Sequence, residues 1–339
     1  MCKRLSTLTA IASIFVLVQP MQAGTPESTP DPVRDAVSKS LALLQKSAAE
    51  YPRHRKCFSC HHQALPILAF TTAKTRNFAI DEKDLQRQLQ FTADFLAKNR
   101  ENYEKGKGQG GQADTAGYAL LALAAGSWKA DPTTAAVIEY LLLRDQDRDH
   151  WRVTSQRPPS EASSFTTTYL ALNALKHFGP SEKQKTIDAR TLKARHWLLK
   201  TPGKDTEDRV FRLHALKVAG AEEKDIEAAA QELLKSQGKD GGWSQTGKLD
   251  SDAYATGSVL TALHQVGGLP VKDGVYQRGV QFLVKTQQAD GSWTLRSRSK
   301  PFQLYFESGF PHGKDQFISI AASSWATIAL MLACEPKER

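Results

Sequence analysis

The sequence predicts an all-α protein assembled from six tandem helix-pair repeats, on three observations. First, Leu233–Trp243 (LLKSQGKDGGW) and Leu283–Trp293 (LVKTQQADGSW) share Leu, Lys, Gln, Asp, Gly and Trp in register at an offset of 50 residues, and a looser copy ends at Trp151. Self-similarity at a fixed period is the mark of a repeat architecture. Second, several segments end in Ala-Leu followed by Gly: Ala122-Leu123 before Gly126, Ala174-Leu175 before Gly179, Ala215-Leu216 before Gly220 and Ala262-Leu263 before Gly267. A Gly there suits the left-handed position that stops a helix, and Ala and Leu at helical spacing let neighbouring helices approach closely. Third, alternating β-branched runs are almost absent.

These marks divide the chain into helix pairs near 34–80, 82–128, 132–179, 187–220, 224–268 and 275–333. One pair is too small to bury its own apolar face, so neighbouring pairs must supply the missing partner. The absence of a long low-complexity linker predicts a single domain over 34–335.

The N-terminus reads as a signal peptide over residues 1–23: Lys3 and Arg4 are followed by an apolar stretch from Leu8 to Val18, then by Pro20 and the small Ala23. This pattern predicts an exported chain, periplasmic or secreted. The stretch is too short to span a bilayer comfortably, and no transmembrane helix is expected in the mature chain. Residues 24–33 (GTPESTPDPV) read as a disordered lead-in. Loss of Lys3 and Arg4 lowers the net charge from +9 to +7, spread without a basic cluster beyond Arg53–Lys56, which argues against nucleic-acid recognition.

Cys57, Cys60 and Cys334 remain after cleavage, an odd number in an oxidising compartment. Cys57 and Cys60 belong to Cys57-Phe58-Ser59-Cys60-His61-His62, a Cys-x-x-Cys-His attachment motif for haem c. Three readings stay open. Haem c would use Cys57, Cys60 and His61. A disulfide or redox pair would join Cys57 to Cys60. A zinc or iron site would draw on the two cysteines with His61 or His62 and with His312, since thiolate and imidazole are ordinary metal ligands.

The segments Gln237-Gly-Lys-Asp240-Gly-Gly-Trp243 and Gln287-Gln-Ala-Asp290-Gly-Ser-Trp293 resemble the QW motifs of the squalene cyclase and prenyltransferase-repeat family. Physically, such a Trp can pack over the adjoining helix while Gln and Asp bond neighbouring backbone ends. The resemblance implies an α/α toroid (an α6/α6 barrel), with inner and outer rings of helices around a central cavity. It also implies an apolar small molecule or isoprenoid lipid as ligand. The alternatives are a non-catalytic haem-bearing electron-transfer or ligand-binding module and a structural scaffold with a Cys57–Cys60 disulfide.

In such a ring, chemistry is expected at the loops before each second helix. Gly110-Gly-Gln-Ala113-Asp114-Thr115-Ala116 resembles the acid motif of class II triterpene cyclases but keeps only its last Asp, as Asp114, with Ala113 in place of the proton-donating one. Asp114 then reads either as a remnant acid or as a helix N-cap. Asp250 and Asp252 stand before Tyr254 where protein prenyltransferases carry zinc ligands, without the partner Cys. Asp252 reads as a cavity acid or a cap. The long segment Phe302–Phe317, rich in aromatics, Gly and Pro, looks like a lid or pocket rim. His312 within it is a candidate catalytic group or ligand.

Overall fold

Helix boundaries follow from short polar side chains that satisfy the free N–H groups of each first turn. The structure, a computed structural model, describes Met1 and residues 31–300 and 304–335. Residues 2–23 of the signal-peptide segment and 24–30 of the lead-in lie outside the described residues. From Pro32 onward the chain forms one unit.

The pairs in order are α1 (Pro32–His54) with α2 (Leu65–Thr75), and α3 (Glu82–Lys98) and the short α4 (Arg100–Glu104) with α5 (Gln112–Ala125). Next come α6 (Pro132–Leu143) with α7 (Ser164–Phe178) and α8 (Gln184–Lys200) with α9 (Thr206–Val218). Last are α10 (Glu223–Leu234) with α11 (Ala253–Gln265) and α12 (Gly274–Thr286) with α13 (Gln316–Ala333). Asp81, Asp131, Ser163, Asp205, Asp252 and Asp273 cap six of these helices through their side chains. Among the described residues the only strands are Trp243–Ser244 and Ser251–Asp252, paired antiparallel in one QW loop. Helix α1 begins at Pro32, so the last two residues of the expected lead-in, Pro32 and Val33, are helical.

The second helix of each pair faces the centre. Helix α5 contacts α7, α7 contacts α9, α9 contacts α11, α11 contacts α13, α13 contacts α2, and α2 contacts α5, which closes an inner ring. The outer ring closes where α1 meets α12. Burial agrees: α11 and α13 are buried on nearly every residue, whereas α10 and α12 bury one stripe each. Segment Gly313–Ala333 is long and apolar enough to cross a membrane, but 89% of its apolar window is buried within the fold, as in a core helix.

Two glycines set the closest approaches in the inner ring. A Cβ on Gly257 of α11 would lie 2.5 Å from the Ala326 nitrogen of α13, and one on Gly117 of α5 would lie 2.6 Å from Leu170 Cβ of α7.

The QW loops tie successive pairs together. Trp151, Trp243 and Trp293 each donate the indole N–H to a carbonyl ten residues back, on Leu141, Leu233 and Leu283, at 2.8, 2.8 and 2.9 Å. Gln237 Nε2 donates to Gly241 O within its loop and to Val275 O at the start of α12, each at 2.8 Å. Asp240 and Asp290 accept from the backbone N–H of Gly242 and Ser292. These side chains thus bond backbone groups of their own loop, of the helix before it or of the helix after it.

Candidate functional site

The Cys-x-x-Cys-His segment forms the turn that enters the first inner helix. Ser59 is extended (φ −134°, ψ 129°) and its side chain accepts from His62 N, after which Cys60–Ala64 take a π-helical turn running straight into α2. Wide turns of this kind often mark functional sites. This one turns Cys60 and His61 toward a cavity of about 880 Å3, whose wall also holds Cys57, Phe58, Arg157 and Glu161. The segment after Trp293 closes the other side with Arg296, Lys314, Phe317 and Ile318.

Glu161 is the residue the sequence did not reveal. It lies in the loop between α6 and α7, where Arg157 and Glu161 exchange backbone hydrogen bonds at 3.0 Å each way. The Arg157 guanidinium also pairs with the Glu161 carboxylate. Cys60 Sγ donates to Glu161 Oε1 at 2.8 Å and lies 3.1 Å from His61 Nδ1. His61 Nε2 lies 3.2 Å from Ser160 Oγ. One ligand atom from each of Cys60, His61 and Glu161 falls within 4.8 Å of the other two. The one available signal for Glu161 was the unusual length of the connection that carries it.

Burial pushes the Cys60 thiol well up, and the Glu161 carboxylate beside it adds to that. Burial also pulls His61 below the usual imidazole range, although Glu161 works in the opposite direction.

The remaining candidates separate. Cys57 and Cys60 are free thiols, not a disulfide. Cys57 is exposed, with its sulfur 3.7 Å from the Tyr51 hydroxyl. His62 is not at the cavity wall: it is fully buried, stacked on Tyr51 at 4.8 Å with the Phe317 ring edge-on at 5.3 Å, and neither ring nitrogen has a hydrogen-bond partner among the described residues. His312 does not reach the Cys60–His61 pair. Its backbone is left-handed (φ 84°), and its ring sits against Ser292 Oγ at 2.8 Å and Thr294 Oγ1 at 3.1 Å, on the last QW loop. Phe317, five residues on, lines the cavity instead, with Tyr305, Lys314 and Asp315 of the same segment. Phe302 lies outside the described residues. Phe306 packs against Tyr51, Phe317 and the Arg55 guanidinium, so this part of the expected lid closes the seam between the last and first repeats.

Haem c fits this arrangement poorly. A sulfur bonded to the edge of a porphyrin stands a ring radius away from iron at its centre. Here the Cys60 sulfur lies 3.1 and 3.9 Å from the two nitrogens of the imidazole that would bind that iron. Thiol and imidazole converge on one point instead.

Asp114 is not an N-cap; Gly111 holds that position and Asp114 sits in the first turn of α5. Its carboxyl accepts from Thr167 of α7 and from the backbone of Thr154, and burial raises its pKa to about 7. Asp252 caps α11 by accepting from Ala255 N at 2.9 Å and also takes Gln245 Nε2 at 2.9 Å, with burial raising it to about 6. A third central acid, Glu207 at the start of α9, escaped notice: it is buried, accepts from Thr166 at 3.0 Å and Tyr254 at 3.3 Å, and is pushed well up by burial. The inner helices thus start in a belt of acids whose neutral forms are favoured by desolvation.

Comparison with known proteins agrees with this architecture. Residues 178–339 match the family model of the squalene-hopene cyclase C-terminal domain. A stretch of 113 residues is 30% identical to lanosterol synthase ERG7 of Saccharomyces cerevisiae, covering 33% of this chain and 14% of that protein. Among solved structures, the type II terpene cyclase MstE from Scytonema, in complex with geranylgeranyl dihydroxybenzoate, matches with a TM-score of 0.57 at 14% identity over 89% of this chain and 97% of that one. A possible member of the GH105 family from Salmonella enterica matches with a TM-score of 0.53 at 12% identity over 93% and 98%. At such identities the structural likeness speaks to fold alone. The C-terminal part of the chain is thus similar to the squalene-hopene cyclase C-terminal domain, and the whole has the α/α toroid fold seen in the terpene cyclase MstE.

Proposed function

We propose that this chain, exported under the signal read at residues 1–23, binds an isoprenoid-type apolar molecule in the cavity beside Cys60 and His61. The observation that carries this is the cavity itself: about 880 Å3, walled by Phe58, Phe95, Phe317 and Ile318 on its apolar side. That size and lining suit a small hydrophobic ligand with a few polar anchors. The terpene cyclase of like fold, MstE, was solved with a geranylgeranyl compound bound. Arg296, Lys300 and Lys314 lie on the same wall and favour a ligand whose polar end is anionic.

Binding, rather than cyclisation by the class II route, is the activity assigned. Protonating an alkene takes a carboxylic acid poised by hydrogen-bonding companions, and Ala113 stands where that acid would be. The test is titration of the mature protein with geranylgeraniol and with geranylgeranyl dihydroxybenzoate, followed by Trp fluorescence and native mass spectrometry. Saturable binding is expected, tighter for the acid, and weakened by Phe95→Arg, which puts charge into the apolar wall. Equal affinity for a saturated alcohol of similar length, or no saturable binding, would overturn the reading.

A further inference from the structure

We propose that Cys60, His61 and Glu161 together hold one divalent late-transition ion of the zinc class, with its open coordination position turned to the cavity. The argument is geometric. Around an ion with bonds of roughly 2.0–2.3 Å to N, O and S in a tetrahedral arrangement, the donor atoms stand on the order of 3–4 Å apart. The two shortest separations here are 2.8 Å from Cys60 Sγ to Glu161 Oε1 and 3.1 Å from Cys60 Sγ to His61 Nδ1, and all three donors lie within 4.8 Å. A small outward movement of the sulfur opens the centre.

The surroundings already orient the donors. Ser160 Oγ lies 3.2 Å from His61 Nε2, and with that nitrogen as the donor the Nδ1 lone pair is directed at the centre. A ligating His is usually held by such a partner on its other nitrogen. Arg157 holds the far side of the Glu161 carboxylate. Cys60 and His61 stand on the π-helical turn and Glu161 in the loop bridged to Arg157, so the centre joins the first repeat to the third. One thiolate, one imidazole and one carboxylate form a mixed donor set suited to zinc and its neighbours rather than to magnesium or calcium.

Loading is a balanced exchange. The Cys60 S–H bond breaks, its proton leaves to solvent through the cavity, and an S–metal bond takes the place of the hydrogen bond to Glu161. Nothing is oxidised or reduced. The three protein donors leave a fourth position for water or for a ligand oxygen, since Cys60, His61 and Glu161 all line the cavity. Cys57, exposed and turned to Tyr51, is not among the three donors.

The ion's contact with a bound molecule rests on the isoprenoid reading; the ion site itself does not. The experiment is metal analysis of the mature protein after dialysis against zinc, with Co2+ substitution read by absorption. One ion per chain and a thiolate-to-cobalt charge-transfer band are expected. Ser160→Ala should weaken zinc binding by roughly 10–100-fold, and Cys60→Ser and Glu161→Gln by more, while Cys57→Ser leaves it unchanged. Helical content by circular dichroism controls for folding, and the cobalt band of the wild type reports the thiolate without any variant. No retained ion, full binding by Cys60→Ser, or a Soret band from covalently held haem would overturn the proposal. Apolar-ligand titration in metal-free protein keeps the two readings apart, because binding there without an ion site sinks only the second.

Discussion

Gln287 Nε2 donates to the carbonyl of Ala36 across 2.8 Å, joining residues 251 apart in the chain. The same nitrogen holds Gly291 O at 3.0 Å, so one side chain binds the last QW loop to the first helix. Gln237 plays the matching part between the fifth and sixth repeats through Val275 O. The seam between chain ends is therefore built like the internal seams, which is what closes a row of hairpins into a ring. Gln287→Ala removes both of these hydrogen bonds, and a loss of about 1–2 kcal/mol is expected in urea unfolding. A similar loss is expected for Gln237→Ala.

Asp114 should tie stability to pH. It is 2% exposed and titrates at about 7 in the fold against 3.8 for an ordinary aspartate. The unfolded chain gives up this proton first, so stability is intact below about pH 4 and falls as pH rises toward 7. Linkage puts the full effect at about 4 kcal/mol as an upper bound. Asp114→Asn keeps an acceptor for Thr167 and carries no charge. It should flatten this slope and be the more stable protein at pH 7, measured by denaturant unfolding across the range. An unchanged slope would mean that Asp114 ionises freely in the fold.

His62 is a buried polar ring used as an aromatic. Its nitrogens lack hydrogen-bond partners among the described residues, while its ring meets Tyr51 and Phe317. Phe has nearly the same shape and no polar atoms to leave unsatisfied. His62→Phe is expected to raise stability by about 1 kcal/mol and to leave zinc binding intact. A loss of stability on thermal unfolding would show that the imidazole has a polar role.

Gly257 sets how closely α11 and α13 approach. Because the added methyl would fall 2.5 Å from backbone atoms of Trp325 and Ala326, the helices must part to admit it. Gly257→Ala is expected to cost about 1–3 kcal/mol, despite the better helix propensity of Ala. A surface Gly-to-Ala change at Gly274, where the nearest neighbour is the end of the Arg278 side chain at 3.5 Å, is the matched control.

The sequence by itself determined the repeat number, the approximate limits of each helix pair, the Trp staples and the places where inner helices begin. These depend on local rules: periodic apolar positions, short polar caps and glycine stops act within a few residues of the chain. Cys60 and His61 were legible as chemistry because adjacent residues share one turn. Tertiary structure alone decided what they meet. Glu161 comes from a loop 101 residues away with no motif of its own and reaches Cys60 because the ring stands its repeats side by side. The same closure brings the last repeat against the first, but with Phe317 rather than His312 facing the cavity, since the left-handed turn at His312 aims its ring at the QW loop. Local pattern specifies which helices form. Which side chains share a chamber is set by how six hairpins curve to meet, a sum of small packing angles that no short stretch of sequence records.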